Sequence, residues 1–383
     1  MKHPDGYPAA NVVSQGAYVA SAATPPSSAV RFSNSPVPAE PLHALVEPGQ
    51  SVVSRPAPVV AAANVTPSSS AASDSAADAA ALGAKKPESA ASFDDSTPLA
   101  RELSEITRRR QALAGEKSPL PSSPRVFTVA NQKGGVGKTT TTVNLAAALA
   151  RGGARVLVID LDPQGNASTA LGVEHRSETP SVYDVIINDQ PIADILQKSP
   201  EFDALYCLPA TIHLAGAEIE LVSLVAREQR LRTSLDKFLA ETPEPFHYVF
   251  IDCPPSLGLL TINAFVAARE VLIPIQCEYY ALEGLSQLLN NIKLIERHLN
   301  PVLKVSTILL TMYDSRTNLA NQVADDVRNH FPNEVLKTLI PRSVRISEAP
   351  SYGQSVISYD PSSPGSLSYL EAAAEIARRG APA

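Results

Sequence analysis

The stretch Asn131-Gln-Lys-Gly-Gly-Val-Gly-Lys-Thr-Thr140 decides the fold, because of what stands on either side of it. A β-rich run, Arg125–Ala130, leads into it, and an Ala/Leu-rich run, Thr141–Arg151, follows it as a predicted helix. Strand, glycine-rich loop and helix in this order are the context of a phosphate-binding loop. Glycines let backbone N–H groups converge on phosphate oxygens, and the helix N-terminus adds positive potential. We therefore predict that this loop binds the phosphates of a nucleotide.

Three side chains of the loop are predicted to act on the bound phosphates. Lys138 is placed to reach the β and γ oxygens, and the Thr139 hydroxyl can ligate Mg²⁺. The loop departs from the GxxxxGK[ST] spacing, since Gln132 occupies the first glycine position and an additional lysine, Lys133, follows it. A second cation there would repel the first unless more anionic charge were present, so we predict that Lys133 reaches the triphosphate bound by a second subunit. The loop residues predicted to contact ATP are Lys133, Gly134, Gly135, Val136, Gly137, Lys138, Thr139 and Thr140.

Carboxylates follow two further apolar runs. Val156–Asp160 ends in an acid, Asp162 comes two residues later, and Tyr248–Asp252 ends in a third acid. Ligands of a parallel α/β sheet bind beyond the carboxyl ends of its strands, so all three acids are candidates to surround the γ-phosphate and its metal. Asp252 is predicted to hold Mg²⁺, the alternative being a structural acid at a strand end. Asp160 is a candidate to cap the following turn and also to support the metal.

Strand-like and helix-like runs continue to alternate along the chain. Val271–Gln276 and Val305–Met312 have the pattern of strands, and Leu282–Leu299 and Leu319–Phe331 have the pattern of helices. Such alternation predicts an α/β fold of the P-loop NTPase type, with a doubly wound, mostly parallel sheet and helices on both of its faces. The crossover connections should be right-handed.

The first third of the chain differs in composition from the rest. Of the 383 residues, the first 124 hold 16 of the 33 prolines but only 4 of the 20 aromatic residues. Such a segment cannot build a large core, so we predict a disordered Ala/Pro/Ser-rich tail over residues 1–96. The formal net charge of the chain is −7. This charge excludes a globally basic nucleic-acid footprint and restricts any DNA binding to a local patch.

A short amphipathic helix and a linker are predicted between the tail and the globular part, over residues 97–124. Thr97 makes a plausible N-cap, and apolar residues at helical spacing follow over about 98–113. Three arginines, Arg108–Arg110, stand near the end of this helix. They could bind an acidic partner or a phosphate backbone, or remain solvated and complement the helix dipole. Residues 125–383 are predicted to form one large domain.

Membrane spans, secretion signals and disulfides are not expected. No apolar run approaches the roughly 18 residues of a membrane span, and residues 1–30 lack a segment of the signal-peptide type. The three cysteines, Cys207, Cys253 and Cys277, are too widely spaced for a disulfide framework or a metal knuckle. We therefore expect a cytoplasmic protein in which these cysteines are small core residues.

Six motifs stand in one order along the chain: Asn131–Thr140, Val158–Ser168, Ala215–Leu221, Asp252–Gly258, Gln276–Ser286 and Ile340–Pro350. In sequence and in order they resemble those of the deviant Walker-A ATPases, and among these the ParA/Soj chromosome-partitioning branch. The resemblance runs from about Arg125 to Arg379 and leaves the first 124 residues outside it. It implies a Mg²⁺-dependent ATP hydrolase that forms a homodimer on binding ATP and segregates chromosomal or plasmid DNA.

The resemblance also implies roles for single residues. Asp162 matches the family residue that positions and polarises the attacking water, which makes Asp162, Lys133 and Lys138 the predicted catalytic set. Pro341 is expected to touch the adenine of ATP, and the neighbouring Arg342 could serve either the nucleotide pocket or DNA.

DNA binding is implied on the same basis. Arg316 and Arg345 match family positions that bind double-stranded DNA without sequence preference in the ATP-bound dimer. The alternative for each is a solvated or salt-bridged surface arginine, since the domain is net acidic. Arginine contacts to phosphates carry no base information, which fits binding anywhere on a nucleoid. A ParB-like, centromere-bound partner is then expected to stimulate hydrolysis and release the dimer, so the protein should be cytoplasmic and nucleoid-associated.

Two alternative functions share the loop and the carboxylates. A membrane-cycling ATPase of the MinD type would need a basic C-terminal amphipathic helix with bulky apolar residues, whereas Leu370–Ala383 is rich in alanine. The other alternative, a possible addition to partitioning, is a scaffold whose N-terminal tail docks on a polar partner while the ATPase acts as a timer.

Overall fold

Seven strands form one sheet within the described residues of this computed structural model, which are 97–114, 118–279 and 281–381. The predicted tail over residues 1–96 lies outside the described residues. The strands are β1 (Arg125–Val129), β2 (Val156–Asp160), β3 (Gln197–Lys198), β4 (Leu205–Leu208), β5 (Tyr248–Asp252), β6 (Glu270–Gln276) and β7 (Lys304–Thr311). Their order across the sheet is β3-β4-β2-β5-β1-β6-β7. Neighbouring strands are parallel except β3 and β4, which are antiparallel.

Helices connect the strands and cover both faces of the sheet. They are α1 (Pro98–Ala114), α2 (Lys138–Arg151), α3 (Asn166–Ala170), α4 (Val182–Asn188), α5 (Ile192–Ile195), α6 (Leu214–Leu221), α7 (Arg230–Glu241), α8 (Leu259–Ala267), α9 (Ala281–His298), α10 (Asn318–His330), α11 (Val344–Glu348), α12 (Val356–Tyr359) and α13 (Pro364–Arg379). A 3-10 helix, Ala349–Tyr352, lies between α11 and α12. One apolar core contains side chains of α2, α12 and α13, and the other contains side chains of α4 to α10.

The central strands explain this layered arrangement. Every residue of β2 and β5 is buried, and such continuous apolar runs are typical of parallel strands that are covered on both faces. Within β2, Leu157 and Ile159 belong to one core while Val156 and Val158 belong to the other. This alternation follows from the period of two along a strand. The predicted fold class, a doubly wound and mostly parallel α/β sheet, is confirmed.

Element boundaries lie close to those expected from the sequence, with one informative difference. Helix α2 begins at Lys138, three residues before the expected start at Thr141. Gly137, directly before it, has a left-handed backbone with φ of 88°, so the helix begins where the glycine loop ends. Lys138 and Thr139 therefore belong to the first turn of α2.

Helix α1 lies against α13 rather than apart from the domain. The Thr97 hydroxyl accepts a hydrogen bond from the N–H of Ala100 at 3.2 Å, as an N-cap does. Arg109 forms a bidentate ion pair with Glu371 of α13, with N···O distances of 2.7 and 2.5 Å. Arg110 donates to the carbonyl of Ser362 at 2.6 Å. Two of the three arginines thus bind the domain itself, an arrangement that neither sequence hypothesis for them included.

Two further features concern the cysteines and the length of the helices. Cys207, Cys253 and Cys277 are all free and buried, as predicted for core residues. Within residues 97–114, 118–279 and 281–381, none of the helices has the length and apolar character that crossing a membrane requires.

Candidate functional site

The phosphate-binding loop joins β1 to α2, and its glycines determine its shape. Gly135 and Gly137 have φ of 74° and 88°, in the left-handed region that other residues rarely adopt. A Cβ placed on Gly134 or Gly135 would meet no atom within 4 Å, so open space lies beside the backbone there. A phosphate group fits this space, because the loop and the start of α2 present N–H groups and a positive helix end to it.

The strands on one side of the loop hold it in place. The Asn131 side chain accepts a hydrogen bond from the N–H of Lys133 at 3.0 Å and donates to the carbonyl of Pro274 on β6 at 2.8 Å. The Thr311 hydroxyl, at the end of β7, donates to the carbonyl of Val136 at 2.9 Å. These bonds tie both halves of the loop to the neighbouring strands.

Lys138 lies beneath the loop with little solvent contact. The residue is 8% exposed, and its Nζ donates to the carbonyl of Lys133 at 3.5 Å. Burial lowers the pKa of the Lys138 ammonium, and the charge of Asp252 opposes that shift. An ammonium at the inner wall of a glycine loop is well suited to bind phosphate oxygens.

Thr139 and Asp252 face each other across the mouth of the loop. The Thr139 hydroxyl donates to one carboxylate oxygen of Asp252 at 2.7 Å, and the Thr142 hydroxyl donates to the other at 3.1 Å. Asp252 ends β5, level with Val129 at the end of β1. Hydroxyl and carboxylate oxygens are the ligands that Mg²⁺ prefers, and this ion is usually completed by substrate phosphates and water. Thr139 and Asp252 therefore fit a magnesium ion bound together with a nucleotide.

Asp160 lies on β2 directly beside Asp252 on β5, and it is completely buried. One oxygen of Asp160 accepts hydrogen bonds from the N–H and the hydroxyl of Ser168, at 2.9 and 2.7 Å. Its other oxygen accepts from the N–H of Asp162 at 3.1 Å. These bonds tie the turn after β2 and the start of α3 to the strand end. The geometry matches the capping role weighed for Asp160, and its role toward a metal stays a prediction.

Asp162 is held at the front of this turn and is half-buried. Its side chain accepts a hydrogen bond from the N–H of Gln164 at 3.0 Å, and its carbonyl accepts from the N–H of Gly165 at 2.9 Å. The carboxylate is therefore fixed at its backbone and retains access to solvent, as a group that acts on a water molecule requires.

The two carboxylates at these strand ends are buried, which makes their charged forms costly. Burial raises the pKa of Asp252, and the neighbouring charge of Asp160 raises it further. Burial also raises the pKa of Asp160, against the hydrogen bonds from Ser168. Since both carboxylates are costly to ionise without a nearby positive charge, a bound cation would favour their charged forms.

Lys133 pairs with an acid outside the loop and is partly exposed. Its Nζ forms an ion pair with Glu278 at 2.6 Å, with 39% of the lysine side chain and 46% of the glutamate side chain exposed. The Gln276 amide donates to the other carboxylate oxygen of Glu278. The structure therefore places the additional lysine at the rim of the site, whereas Lys138 lies inside it.

The predicted arginines lie on two connections that meet next to β7. Arg316 follows β7 and forms a bidentate ion pair with Asp314, with N···O distances of 2.8 and 2.7 Å. The Arg316 side chain is 87% exposed. The N–H of Arg342 donates to the carbonyl of Tyr313 at 3.4 Å. The hydrogen bonds and charge of Arg316 lower the pKa of Asp314 to about 2, and the charge of Arg342 contributes to this shift. The backbone of Arg342 thus lies beside Tyr313, three residues before Arg316 in the chain.

Arg345 and Pro341 lie on the second of these connections. Arg345, on α11, pairs with Glu348 at 3.1 Å and with Asp360 at 3.5 Å, and 55% of its side chain is exposed. Pro341 forms a parallel bridge with Tyr313, directly after β7. All three arginines are therefore surface groups, two of them already paired with acids, and Pro341 adjoins the strand that contacts the phosphate loop.

Sequence reasoning did not identify Glu278 or Thr311 as parts of the site. The Lys133–Glu278 contact joins positions 145 residues apart, and the Thr311–Val136 contact joins positions 175 residues apart. Glu278 lies within one of the six motifs, but nothing in its spacing indicates a pairing with Lys133. Only the order of β1, β6 and β7 in the sheet brings these residues together.

The sequence of this chain matches those of known proteins. A family model described as an AAA domain matches residues 124–305. The sporulation initiation inhibitor protein Soj of Bacillus subtilis is 53% identical over 256 residues, which are 67% of this chain and 99% of that protein. The chromosome partitioning protein ParA of Myxococcus xanthus is 51% identical over 277 residues, which are 72% of this chain and 96% of that protein.

Solved structures are also similar. A Mycobacterium smegmatis protein described as cobyrinic acid a,c-diamide synthase, with bound ATP analogue and magnesium, is 39% identical with a TM-score of 0.57, over 67% of this chain and 95% of its own. The cell division ATPase MinD of Pyrococcus furiosus is 26% identical with a TM-score of 0.55, over 67% of this chain and 99% of its own.

A glycine loop, a helix-borne lysine and threonine, and a strand-end aspartate at the carboxyl edge of a doubly wound sheet define a P-loop nucleotide-binding protein. The sequence of this chain is about half identical to those of the relatives over nearly their whole length. This identity narrows the class to one family. The chain belongs to the ParA/Soj family of chromosome-partitioning proteins, and the resemblance noted in the sequence is confirmed.

Proposed function

We propose that this chain is a Mg²⁺-dependent ATPase whose ATP-bound dimer binds DNA without sequence preference and is released when a ParB-like partner stimulates hydrolysis. Membership of the ParA/Soj family supports the partitioning role. The ATP analogue and magnesium bound to the 39% identical structure support the choice of ligand and metal. The observation that carries the proposal is the 2.7 Å contact between Thr139 and Asp252 at the mouth of the glycine loop.

In this proposal the loop binds the triphosphate from one side. Backbone N–H groups surround the phosphates, Lys138 pairs with their oxygens from beneath, and Pro341 contacts the adenine. The residues that would surround the nucleotide are Lys133, Gly134, Gly135, Val136, Gly137, Lys138, Thr139, Thr140 and Pro341. Thr139 and Asp252 would hold Mg²⁺, with Asp160 in support. Bound Mg²⁺ would neutralise charge on the β- and γ-phosphates.

Hydrolysis is proposed to depend on Asp162. Its carboxylate would orient a water molecule toward the γ-phosphate, while Asp160 and Ser168 keep the turn rigid. Lys138 would stabilise charge on the phosphoryl oxygens within the same subunit, and Lys133 would do so across a dimer. Fixed groups of this kind lower a barrier because they need no rearrangement during the reaction.

The proposed output of the ATPase is DNA binding through Arg316, Arg345 and Arg342. The chain has a net charge of −7, so a single subunit offers only a small basic surface against an acidic background. Dimerisation on ATP would double the number of arginines that face one duplex. Because affinity for DNA rises steeply with the number of phosphates contacted, this doubling could switch binding on. A cytoplasmic, nucleoid-associated protein would result.

The packing of α13 is a reason to prefer DNA over a membrane as the target. Leu367, Tyr369 and Ile376 of this C-terminal helix are buried in the core that it shares with α2. Apolar residues that are buried in this way are not available to insert into a bilayer. The scaffold role of the tail concerns residues outside those described and stays a prediction.

The experiment that tests the proposal measures binding to a random-sequence duplex with ATP, with ADP and without nucleotide. Only ATP should give tight binding, and added salt should weaken it. Lys138→Ala should lose it, as should Arg316→Glu and Arg345→Glu.

Arg232→Glu is the matched control, because Arg232 is a partly exposed arginine on α7 that pairs with Asp236 at 3.5 Å. It makes the same charge change on another helix and should leave tight binding in place. Equal binding in all three nucleotide states, or none in any, would contradict the proposal.

A further inference from the structure

Glu278 gives the additional loop lysine a fixed position within its own chain. Besides the 2.6 Å pair between Lys133 Nζ and one carboxylate oxygen, the other oxygen of Glu278 accepts a hydrogen bond from Gln276 at the end of β6. Glu278 lies in the connection between β6 and α9, so this carboxylate is anchored to the sheet. The pair is therefore built into the rim of the site.

Lys133 is held at three points at once. Asn131 binds its N–H at 3.0 Å, Lys138 contacts its carbonyl at 3.5 Å, and Glu278 binds its ammonium at 2.6 Å. The first two contacts fix the backbone, and only the third depends on the conformation of the long side chain. Breaking the pair with Glu278 is thus the one change that would free the ammonium while leaving the loop intact.

We propose that Glu278 is a positioning residue, which holds Lys133 within its own subunit and releases it when a second subunit closes on the site. This inference rests on the proposed function, in which Lys133 reaches the triphosphate of the partner. In this proposal the ammonium leaves the carboxylate of its own chain when it pairs with a phosphate of another, because the 2.6 Å contact holds Nζ at the rim of its own site. Dimer closure therefore exchanges Glu278 for the phosphate, and the strength of the pair controls how readily the dimer forms.

The strength of the ion pair between Lys133 and Glu278 suits a reversible exchange of Glu278 for a phosphate. Ion pairs between partly exposed side chains contribute little to stability and are weakened by salt. A triphosphate carries several negative charges, so it attracts the ammonium more strongly than one carboxylate does. The pair with Glu278 is strong enough to bias the position of Lys133 and weak enough to yield to ATP bound in a partner.

The test uses the full chain with Glu278→Gln, which keeps the size of the side chain and removes its charge. Sedimentation velocity measures the dimer over a series of concentrations of a non-hydrolysable ATP analogue with Mg²⁺. The variant should reach half dimer at an analogue concentration about two- to fivefold lower than the natural chain does. This difference should shrink as ionic strength rises, whereas an effect of altered folding would not follow salt in this way.

Asp203→Asn is the matched control, because Asp203 pairs with Lys198 at 2.7 Å, also at the surface, next to the edge strand β3. It should leave the dimerisation curve unchanged. Acetylation rates of single lysines, measured by mass spectrometry without nucleotide, provide a second readout. Lys133 should react faster in Glu278→Gln than in the natural chain, and Lys198 should react faster only in Asp203→Asn.

The outcomes distinguish a failure of the positioning role from a failure of the proposed function. If the natural chain dimerises with the analogue but Glu278→Gln does so equally or less readily, the positioning role is wrong and the proposed function stands. Unchanged reactivity of Lys133 in the variant would equally overturn the positioning role. If neither chain dimerises at any analogue concentration, the proposed ATP-driven dimer fails, and the inference fails with it.

Discussion

Thr139 and Asp252 lie 113 residues apart in the chain, yet their side chains touch at 2.7 Å. Each could be predicted from its own local pattern, the threonine from the glycine loop and the aspartate from the apolar run that it ends. Their contact could be predicted as well, since parallel strands bring their carboxyl ends to one edge of a sheet. This pair, which we propose to hold Mg²⁺, is thus the part of the molecule that is best predicted from the sequence.

This contact leads to a prediction about Thr139. Replacing it with alanine removes the hydroxyl, whereas serine retains it. We expect Thr139→Ala to raise the Mg²⁺ concentration for half-maximal ATP hydrolysis by about 10- to 100-fold, as loss of a group that supports a metal commonly does. Thr139→Ser should remain within a few-fold of the natural chain in the same Mg²⁺ titration. Equal losses in the two variants would show that the hydroxyl is not what matters.

Asp314 leads to a second prediction at this scale. Its carboxylate pairs with Arg316 through two hydrogen bonds, and its lowered pKa of about 2 keeps it charged throughout the physiological range. In the DNA complex that we propose, the aspartate would compete with DNA phosphates for the arginine. Asp314→Asn should raise the affinity of the ATP-bound protein for a random duplex severalfold at low salt.

The control for this prediction is Asp236→Asn, which makes the same change of charge on α7, where Asp236 pairs with Arg232. Fluorescence anisotropy of a labelled duplex measures both variants over a range of salt concentrations. If the two substitutions raise affinity equally, overall charge and not the release of Arg316 is responsible.

Other residue contacts could not be predicted from the sequence. The alternatives considered for Arg108–Arg110 were an acidic partner, a phosphate backbone and solvent, but Arg109 instead pairs with Glu371. The spacing of a helix shows which side chains share a face, and it does not show what that face meets. Lys133 and Glu278 illustrate the same limit for the site, since a contact between two loops leaves no periodic signal in either of them.

At the scale of elements, the strands were predictable because their apolar runs are uninterrupted and end at polar residues. Helices α9 and α10 begin within one residue of their expected starts, because apolar spacing marks their extent. The short elements α5, β3, α11 and α12 have four, two, five and four residues, which is too short for a period to show. Their positions depend on packing against the larger elements.

A prediction at this scale concerns the junction of β1, β6 and α13. Arg125 of β1 forms two hydrogen bonds with Glu270 of β6, at 2.8 and 2.7 Å, and a third with the carbonyl of Ile376 of α13 at 2.7 Å. The pair is largely buried. Burial raises the pKa of Glu270, but the hydrogen bonds and charge of Arg125 outweigh this effect and leave that pKa lowered.

The sign of the pH dependence follows from this lowered pKa. The folded protein binds the proton of Glu270 less tightly than the unfolded chain, so the pair stabilises the fold fully at neutral pH. The stabilisation is lost as the pH falls through the ordinary carboxyl value of about 4.3 and below. Glu270→Gln should lower the free energy of unfolding at pH 7 by about 1.5–3 kcal/mol.

Urea denaturation at a series of pH values checks this prediction. The gap between the natural chain and Glu270→Gln should stay constant from neutral pH down to about 5 and narrow as the pH falls through about 4.3 and below. Glu244→Gln is the control, because Glu244 pairs with Arg155 at 3.8 Å and has 79% of its side chain exposed. That variant should differ little from the natural chain at any pH, and a gap of constant size for Glu270→Gln would count against the explanation.

At the scale of the whole molecule, the structure joins α1 to the residues that follow it. The sequence predicted a separate helix and linker over 97–124 before a domain over 125–383, and that division stays a prediction. The ion pair of Arg109 with Glu371 and the bond from Arg110 to Ser362 nevertheless tie α1 to the surface formed by α13. Composition predicted a boundary between tail and domain, but it gave no sign of this attachment.

Truncation tests this attachment. A chain that begins at residue 97 should melt at the same temperature as the full chain. A chain that begins at residue 125 should melt a few degrees lower, because about 1 kcal/mol corresponds to about 2–4 °C in a domain of this size. Differential scanning calorimetry measures both, and Arg109→Ala in the longer fragment should reproduce part of the loss. Equal melting temperatures for the two fragments would show that α1 contributes nothing to the domain.

The register of the sheet limits how the gene for such a protein can vary in length. Asp252 lies level with Val129 on one side and with Asp160 on the other. One inserted codon within β2 or β5 would move these strand ends apart by about 3.3 Å and would turn the following side chains to the opposite face. Insertions and deletions among descendants of this sequence should therefore collect in connections such as residues 172–181 and 222–229, and the strands that carry the aspartates should keep a constant length.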